Sequence, residues 1–276
     1  MRKDLKNLRV LVVGDTIVDK DIFLDAVGLS LESPTLKTNF VSEQKSLGGA
    51  ANVAKLIGLL GSECTFVTAL SDPELLHSLY EDFGVKTISC NRARDNTKTR
   101  YWISRGDGTY KYLQINDCGY ASPASESFSI EGYDAVLVCD YRCGFVTDAV
   151  VNRCSVFAGT KFVSSQMSDR GSNMNQYIGF DCALMNESED SCCAVSFPKK
   201  IVTMGNKGSK TVTIHTQPIH HEAVPVNTSN TIGAGDAFCA AYVCTENGEF
   251  SNMFASRYLS LTNRDVPSLK EMMNRE

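Results

Sequence analysis

The sequence predicts an α/β fold in three layers: a central, mostly parallel sheet, helices on both its faces, and a small accessory β layer. Three observations carry that expectation. Short apolar runs alternate with segments of helical period, the rhythm of strand–helix–strand units whose strands pair in parallel. Glycine-rich turns lead into two of the helices. Two polar, extended excursions interrupt the alternation without helical periodicity.

The elements follow in order. A first apolar strand at 8–13 ends at Gly14-Asp15, with Asp19 shortly after. Residues 21–27 and 36–43 are short extended segments around the Ser33-Pro34 turn. Gly48-Gly49-Ala50-Ala51-Asn52 opens a helix that continues to Gly61. A strand at 64–69, a helix at 73–83 and a strand at 85–89 come next. The second excursion, 97–115, has the pattern of a hairpin around Asp107-Gly108. The α/β alternation resumes with a strand at 135–140, a helix at 146–157, and strands at 161–165, 182–185 and 201–204. Two strand-like runs at 209–215 and 219–224 precede a helix at 234–244, and the tail at 249–276 carries one or two more helices.

Composition narrows the function classes. The chain has 276 residues, 43% hydrophobic and 21% charged, with a formal net charge of -5. Without a Lys/Arg-dense stripe, that balance argues against nucleic acid. No apolar run approaches the roughly 20 residues of a membrane span, so no membrane partner is expected. The charged N-terminus enters a strand directly, without an apolar signal region, which points to a cytoplasmic protein. Eleven scattered cysteines without a CxxC pair suit reduced, mostly buried thiols.

Several stretches carry possible chemistry. In Asn230-Thr231-Ile232-Gly233-Ala234-Gly235-Asp236, a glycine-rich turn enters a helix, so backbone N–H groups and the positive end of the helix dipole face outward toward an anion. Asp236 is then either an ordinary helix-start charge or a general base beside that anion. Gly48 and Gly49 permit close backbone approach, and Asn52 offers both a donor and an acceptor to a hydroxyl, although a tight turn alone would also need the glycines. Asp15 and Asp19 lie past the first strand, where open α/β sheets bind ligands; for Asp15 a plain polar transition into a loop serves as well. Lys98 and Arg100 share one strand face, either to grip an anionic substrate or as solvated edge charges. Asp140 ends a buried strand. Asn186-x-x-Glu189 has the spacing of groups acting near Mg²⁺, and equally of an N-cap with its capping-box Glu. Thr203-x-Gly205-x-x-Gly208 is a strand end followed by a loop able to cradle phosphates. No GxxxxGK[ST] occurs, and Phe238 stands where a dinucleotide fingerprint needs its third glycine.

Taken together, Gly48-Gly49-Ala50-Ala51-Asn52 and Thr231-x-Gly233-Ala234-Gly235-Asp236 resemble the two signatures of the ribokinase-like (PfkB-type) carbohydrate kinase family. Asn186-x-x-Glu189 and Thr203-x-Gly205-x-x-Gly208 match its order and spacing. Gly14-Asp15-x-x-x-Asp19, Thr97-Lys98-x-Arg100 and Asp140-Tyr141-x-x-Gly144 look most like its heptose 7-phosphate kinases. The resemblance implies one ribokinase-like kinase domain over 1–276, with a β lid from insertions at about 20–46 and 96–118. It implies transfer of a phosphoryl group from ATP, with Mg²⁺, to a sugar-phosphate hydroxyl. Asp236 would be the base, and the amides of Gly233, Ala234 and Gly235 the anion hole. Asp15, Asp19, Gly48, Gly49, Asn52, Lys98, Arg100 and Asp140 would bind substrate. Asn186, Thr203, Gly205 and Gly208 would line the nucleotide, with Glu189 holding Mg²⁺ through water. A homodimer through the lid is also implied. The alternatives are a kinase for an unphosphorylated sugar or nucleoside, and a catalytically weak sugar- or nucleotide-binding member of the same fold. The sequence departs from the family pattern at Asn230, Ile232, Cys143 and Ser164-Ser165-Gln166, and the C-terminal region is short.

Overall fold

Strands buried on both faces lose the polar–apolar alternation of a half-exposed strand, and the first strand, Arg9–Gly14, shows why. Val10 and Val12 enter one core cluster while Leu11 and Val13 enter the other, all with no exposed surface. The computed structural model describes residues 7–90, 94–105, 108–119, 128–166, 171–228 and 231–261. The tail beyond 261, the turn at Asp107 and the cap residues Ser229 and Asn230 lie outside the described residues.

The strands of the first half are β1 (Arg9–Gly14), β2 (Thr16–Leu29), β3 (Leu36–Gly49), β4 (Glu63–Thr68), β5 (Lys86–Ser89), β6 (Thr97–Arg105) and β7 (Gly108–Asp117). Those of the second half are β8 (Ala135–Asp140), β9 (Thr160–Ser165), β10 (Cys182–Asn186), β11 (Lys199–Thr203), β12 (Ser209–Thr213) and β13 (Ile219–His221). The helices are α1 (Ala50–Leu59), α2 (Pro73–Phe83), α3 (Asp148–Ser155), α4 (Glu187–Ser191), α5 (Ala234–Thr245) and α6 (Gly248–Ser260).

A nine-stranded sheet runs in the order β13-β12-β11-β10-β9-β8-β1-β4-β5. It is parallel from β11 to β5, and the edge strands β12 and β13 are antiparallel. On one face α1, α5 and α6 supply Leu56, Phe238, Tyr242 and Phe254 to the core. On the other, α3 and a 3-10 turn at Met174–Tyr177 supply Val150, Cys154 and Tyr177. No helix among the described residues is long and apolar enough to cross a membrane.

The chain leaves β1 for β4 on one side and returns as β8 on the other, which makes the carboxyl ends of β1 and β8 a topological switch point. The approach there is close. A Cβ on Gly14 would lie 2.3 Å from the Cys139 carbonyl oxygen and 2.7 Å from the Ala50 Cβ.

The two excursions form a separate four-stranded sheet in the order β3-β2-β6-β7, with β2 and β6 parallel. β2 and β3 are each 14 residues long, well beyond the short segments expected at 21–27 and 36–43. The mixed polar patterns of their outer halves hide strands that pair along their whole length. Helix α3 is shorter than 146–157, because the Thr147 side chain caps it by accepting from the Val150 amide. Replacing Gly14 by Ala is expected to lower the unfolding free energy by about 1–3 kcal/mol, since a methyl has no room there. Urea unfolding measures this, and an unchanged midpoint would show that β8 and α1 can yield.

Candidate active site

A cavity of about 770 Å³ opens between the accessory sheet and the carboxyl edge of the large sheet. Asp236 reaches it from the first turn of α5. Gly233, the N-cap of that helix, adopts a left-handed φ of 80°, and a Cβ there would press on the Tyr258 ring and the Asn52 amide. Among the described residues, the amides of Gly233 and Gly235 have no hydrogen-bond acceptor. The Ala234 amide donates over 3.3 Å to the Thr231 carbonyl. Of the three amides expected to form an anion hole, two are therefore open and the third is turned into a local turn.

The Asp236 carboxylate is held at both oxygens. Asn52 Nδ2 donates to Oδ2 at 2.8 Å, and the Tyr141 hydroxyl donates to Oδ1 at 2.5 Å. Burial, then the Asp236 charge, pushes the Tyr141 phenol well above its ordinary value, so it stays a donor at neutral pH. Asn52 is buried, and its Oδ1 has no partner. The reverse amide orientation would set that oxygen against the carboxylate, so the unpaired acceptor is genuine. An unpaired buried acceptor on the cavity wall suits a hydroxyl donor from a ligand.

Asp19, Gly48, Gly49, Lys98 and Arg100 also line the cavity. Gly49 begins α1 with φ at 63°, and its neighbour Gly48 leaves room for Asp19, whose Oδ2 would be 2.3 Å from a Cβ there. Arg100 Nη1 donates to Asp19 Oδ1 at 2.8 Å, and the two side chains are 9% and 16% exposed. Burial raises the Asp19 carboxyl even with that guanidinium beside it. Lys98 forms no salt bridge among the described residues.

Two acidic residues expected at the substrate do not reach the cavity. Asp15 is fully buried and accepts from the amides of Phe145 (2.8 Å), Tyr141 (2.9 Å) and Cys143 (3.3 Å). Asp140 accepts from the Arg142 amide, the Asn173 side chain and the Tyr177 hydroxyl at 2.8, 2.5 and 2.7 Å. Both shape the loop after β8 from behind, and neither lines the cavity. Of the residues expected at the nucleotide, none lines this cavity; Asn186 and Thr203 are register partners at the carboxyl ends of β10 and β11. The Thr203 hydroxyl donates to the Met185 carbonyl. Gly205 and Gly208 bracket a one-turn 3-10 helix, closed by the Met204 amide donating to the Gly208 carbonyl. Asn186 and Glu189 form a reciprocal capping box, with bonds of 2.9 and 2.8 Å, at the start of α4. The structural role thus accounts for the Asn-x-x-Glu spacing. Among the described residues no cluster of three or more His, Cys, Asp or Glu could hold a metal.

Sequence reasoning did not single out Tyr141, Gln166, Thr228 or Tyr258 as lining residues. Tyr141 stood there only as part of the Asp140-Tyr141-x-x-Gly144 pattern, and its contact with Asp236 crosses 95 positions.

In class, the fold is ribokinase-like. Ribokinase from Thermotoga maritima superimposes with a TM-score of 0.73 at 18% identity, covering 98% of this chain and 100% of the other. Arabidopsis thaliana ribokinase, solved with ribose and ATP, gives 0.71 at 19% identity, covering 97% and 98%. More particularly, residues 195–245, which include Gly233-Ala234-Gly235-Asp236, match the model of the pfkB family carbohydrate kinases. Relatives named "Bifunctional protein HldE" are 25% identical over 268 residues in Rhodopseudomonas palustris (strain BisB5) and 21% over 296 residues in Pelobacter propionicus. These alignments cover 84% and 94% of this chain but 54% and 59% of those proteins, so the chain spans little more than half their length. The family match and the fold support a phosphotransferase.

Desolvation, opposed by the three amide bonds, pushes the Asp15 carboxyl up from 3.8 to about 6. Between those values the folded chain keeps a proton that the unfolded chain has released. The contribution of this group to stability is therefore full below 3.8 and is lost as pH rises through about 6. The loss is on the order of 3 kcal/mol. Asp15→Asn should abolish that slope while lowering stability throughout, because whichever way its amide turns, Nδ2 faces at least one backbone amide donor. Urea midpoints at about pH 4.5 and 7 test the linkage; a slope like the wild type's would refute it.

Proposed function

We propose that this chain is an ATP-dependent sugar kinase, with a heptose 7-phosphate-type acceptor. The single observation that carries the reading is the Asp236 carboxylate, fixed by Tyr141 and Asn52, beside the open amides of Gly233 and Gly235 in one large cavity. In this reading the acceptor hydroxyl lies against Asp236, which takes its proton as the oxygen bonds to the γ-phosphorus of ATP and the bond from that phosphorus to the departing ADP breaks. The open amides at the positive end of α5 receive charge on the transferring phosphoryl group. Positioning and charge stabilisation carry such reactions, and both oxygens of the base are held before substrate arrives.

The residues present fit the implied nucleotide at the amides of α5. Asn186 and Thr203 offer polar groups along the same edge of the sheet. Glu189 would hold Mg²⁺ through water, and the ion would neutralise phosphate charge. Lys98, without a salt bridge, is the cation we assign to a phosphate already on the acceptor. The Arg100 guanidinium, engaged by Asp19, favours a second reading in which the acceptor is an unphosphorylated sugar. The four-stranded sheet would act as the lid. Exposed Phe40, Tyr112, Leu113 and Ile115 on its strands support a homodimer through it. A cytoplasmic setting fits eleven scattered cysteines without a CxxC pair.

Asp236→Asn is expected to lower kcat by about a thousandfold or more while ADP still binds; turnover near the wild-type rate would dismiss the base. Lys98→Ala separates the two readings. A KM raised about tenfold for a sugar 7-phosphate but unchanged for its unphosphorylated counterpart supports the first, and equal KM values for the two support the second.

A further inference from the structure

The inner face of the accessory sheet changes character along its length. Cross-strand pairs run outward from Asp19 with Lys98, through Asp21 with Arg100, to Phe23 with Trp102. All six side chains line the cavity. From Asp19 to Phe23 the strand advances about 13 Å. The charged end lies near the base of the cavity, and the far end is aromatic.

At that far end the rings of Phe23 and Trp102 stack, with centroids 6.4 Å apart and planes 17° apart. Trp102 Nε1 donates to Asp21 Oδ1 at 2.6 Å, which fixes the indole and leaves Asp21 Oδ2 without a hydrogen-bond donor among the described residues. Gln44, the register partner of Asp21 on β3, lines the same wall, and its amide makes no hydrogen bond among the described residues. A flat apolar platform beside an open carboxylate oxygen and an open amide is the chemistry that recognises a polyol, with C–H groups on the rings and hydroxyls on the polar atoms. It does not suit phosphate, which the Asp21 carboxylate would repel.

We propose that Asp21, Phe23, Gln44 and Trp102 form a second carbohydrate subsite. It would take the carbon chain or second ring of an acceptor that extends beyond the phosphorylated hydroxyl. The proposal rests on the cavity being a sugar site and deepens that reading: the acceptor is longer than a pentose, and the accessory sheet measures its length.

Trp102 is the single tryptophan of the chain, so its emission reports directly on the subsite. The wild-type protein, without nucleotide, is titrated with D-ribose, sedoheptulose 7-phosphate and maltose while emission is followed. A saturable change is expected with at least one of the longer probes, with ribose binding about tenfold more weakly or leaving the emission unchanged. By calorimetry, Trp102→Ala and Asp21→Asn should each weaken the longer probe about tenfold and leave ribose unaffected. A silent tryptophan with every sugar, equal weakening of all probes in both variants, or quenching by ADP alone would overturn the subsite. Turnover of a sugar with a silent tryptophan would sink the subsite alone. Saturable quenching without any phosphoryl transfer would sink the kinase reading and leave the subsite standing.

Discussion

The buried carboxylate of Asp15 is the constraint on which the site depends. Its side chain gathers the amides of Tyr141, Cys143 and Phe145, while its own amide donates to the Cys139 carbonyl and its carbonyl accepts from the Ala50 amide. One residue at the end of the central strand thus sets both the loop after β8 and the first turn of α1. The loop delivers Tyr141 and the helix delivers Asn52, and the two meet on the opposite oxygens of Asp236. Burial of the charge is costly, and the raised carboxyl of Asp15 records that cost. Leaving any of those amides unpaired in the interior would cost about 1–3 kcal/mol more.

The electrostatics of the cavity follow a similar economy. Asp19 and Arg100 neutralise one another at low exposure, which holds β2 to β6 and engages a cation otherwise open to a ligand. Positive potential for an anion comes instead from peptide groups at the start of α5 and from Lys98. Backbone dipoles suit this task because they need no counter-charge and do not move when the ligand arrives.

The framework was readable from the sequence where local rules act. Helix α2 was expected at 73–83 and forms there, because Asp72 caps it, Pro73 starts it and Gly84 ends it in a left-handed turn. The strand at 135–140 is buried throughout, apolar up to its last residue, Asp140, and has the expected bounds. The cavity residues Asp236, Asn52, Asp19 and Gly48 were found through motifs. Their contacts were not, since Asn52 and Asp236 are 184 positions apart. Asp15 and Asp140, expected at the substrate, lie off the cavity wall for a physical reason. A strand-end carboxylate looks alike in sequence whether it faces a ligand or a turn of backbone amides, and the donors that claim Asp140 come from Asn173 and Tyr177, far along the chain. For Asn186 and Glu189 the capping alternative, visible from spacing alone, is the one that forms.

At β2 and β3 the accessory sheet joins this framework directly. β2 starts one residue after Asp15, and β3 ends at Gly49, against the first residue of α1. The Thr16–Gly49 pair is the last rung of the β2–β3 ladder, and the register shifts lie farther out, at Phe23/Leu24 and Ala26/Gly28. Bulged positions bend more readily than the regular ladder below them. Flexing of the outer tip is therefore absorbed from Phe23 outward, at the aromatic end of the cavity. Rocking of the whole sheet would instead act as a rigid lever on the peptide groups flanking Asp15 and Gly49, so its tilt and the alignment of the Asn52 amide with the Asp236 carboxylate are one mechanical variable.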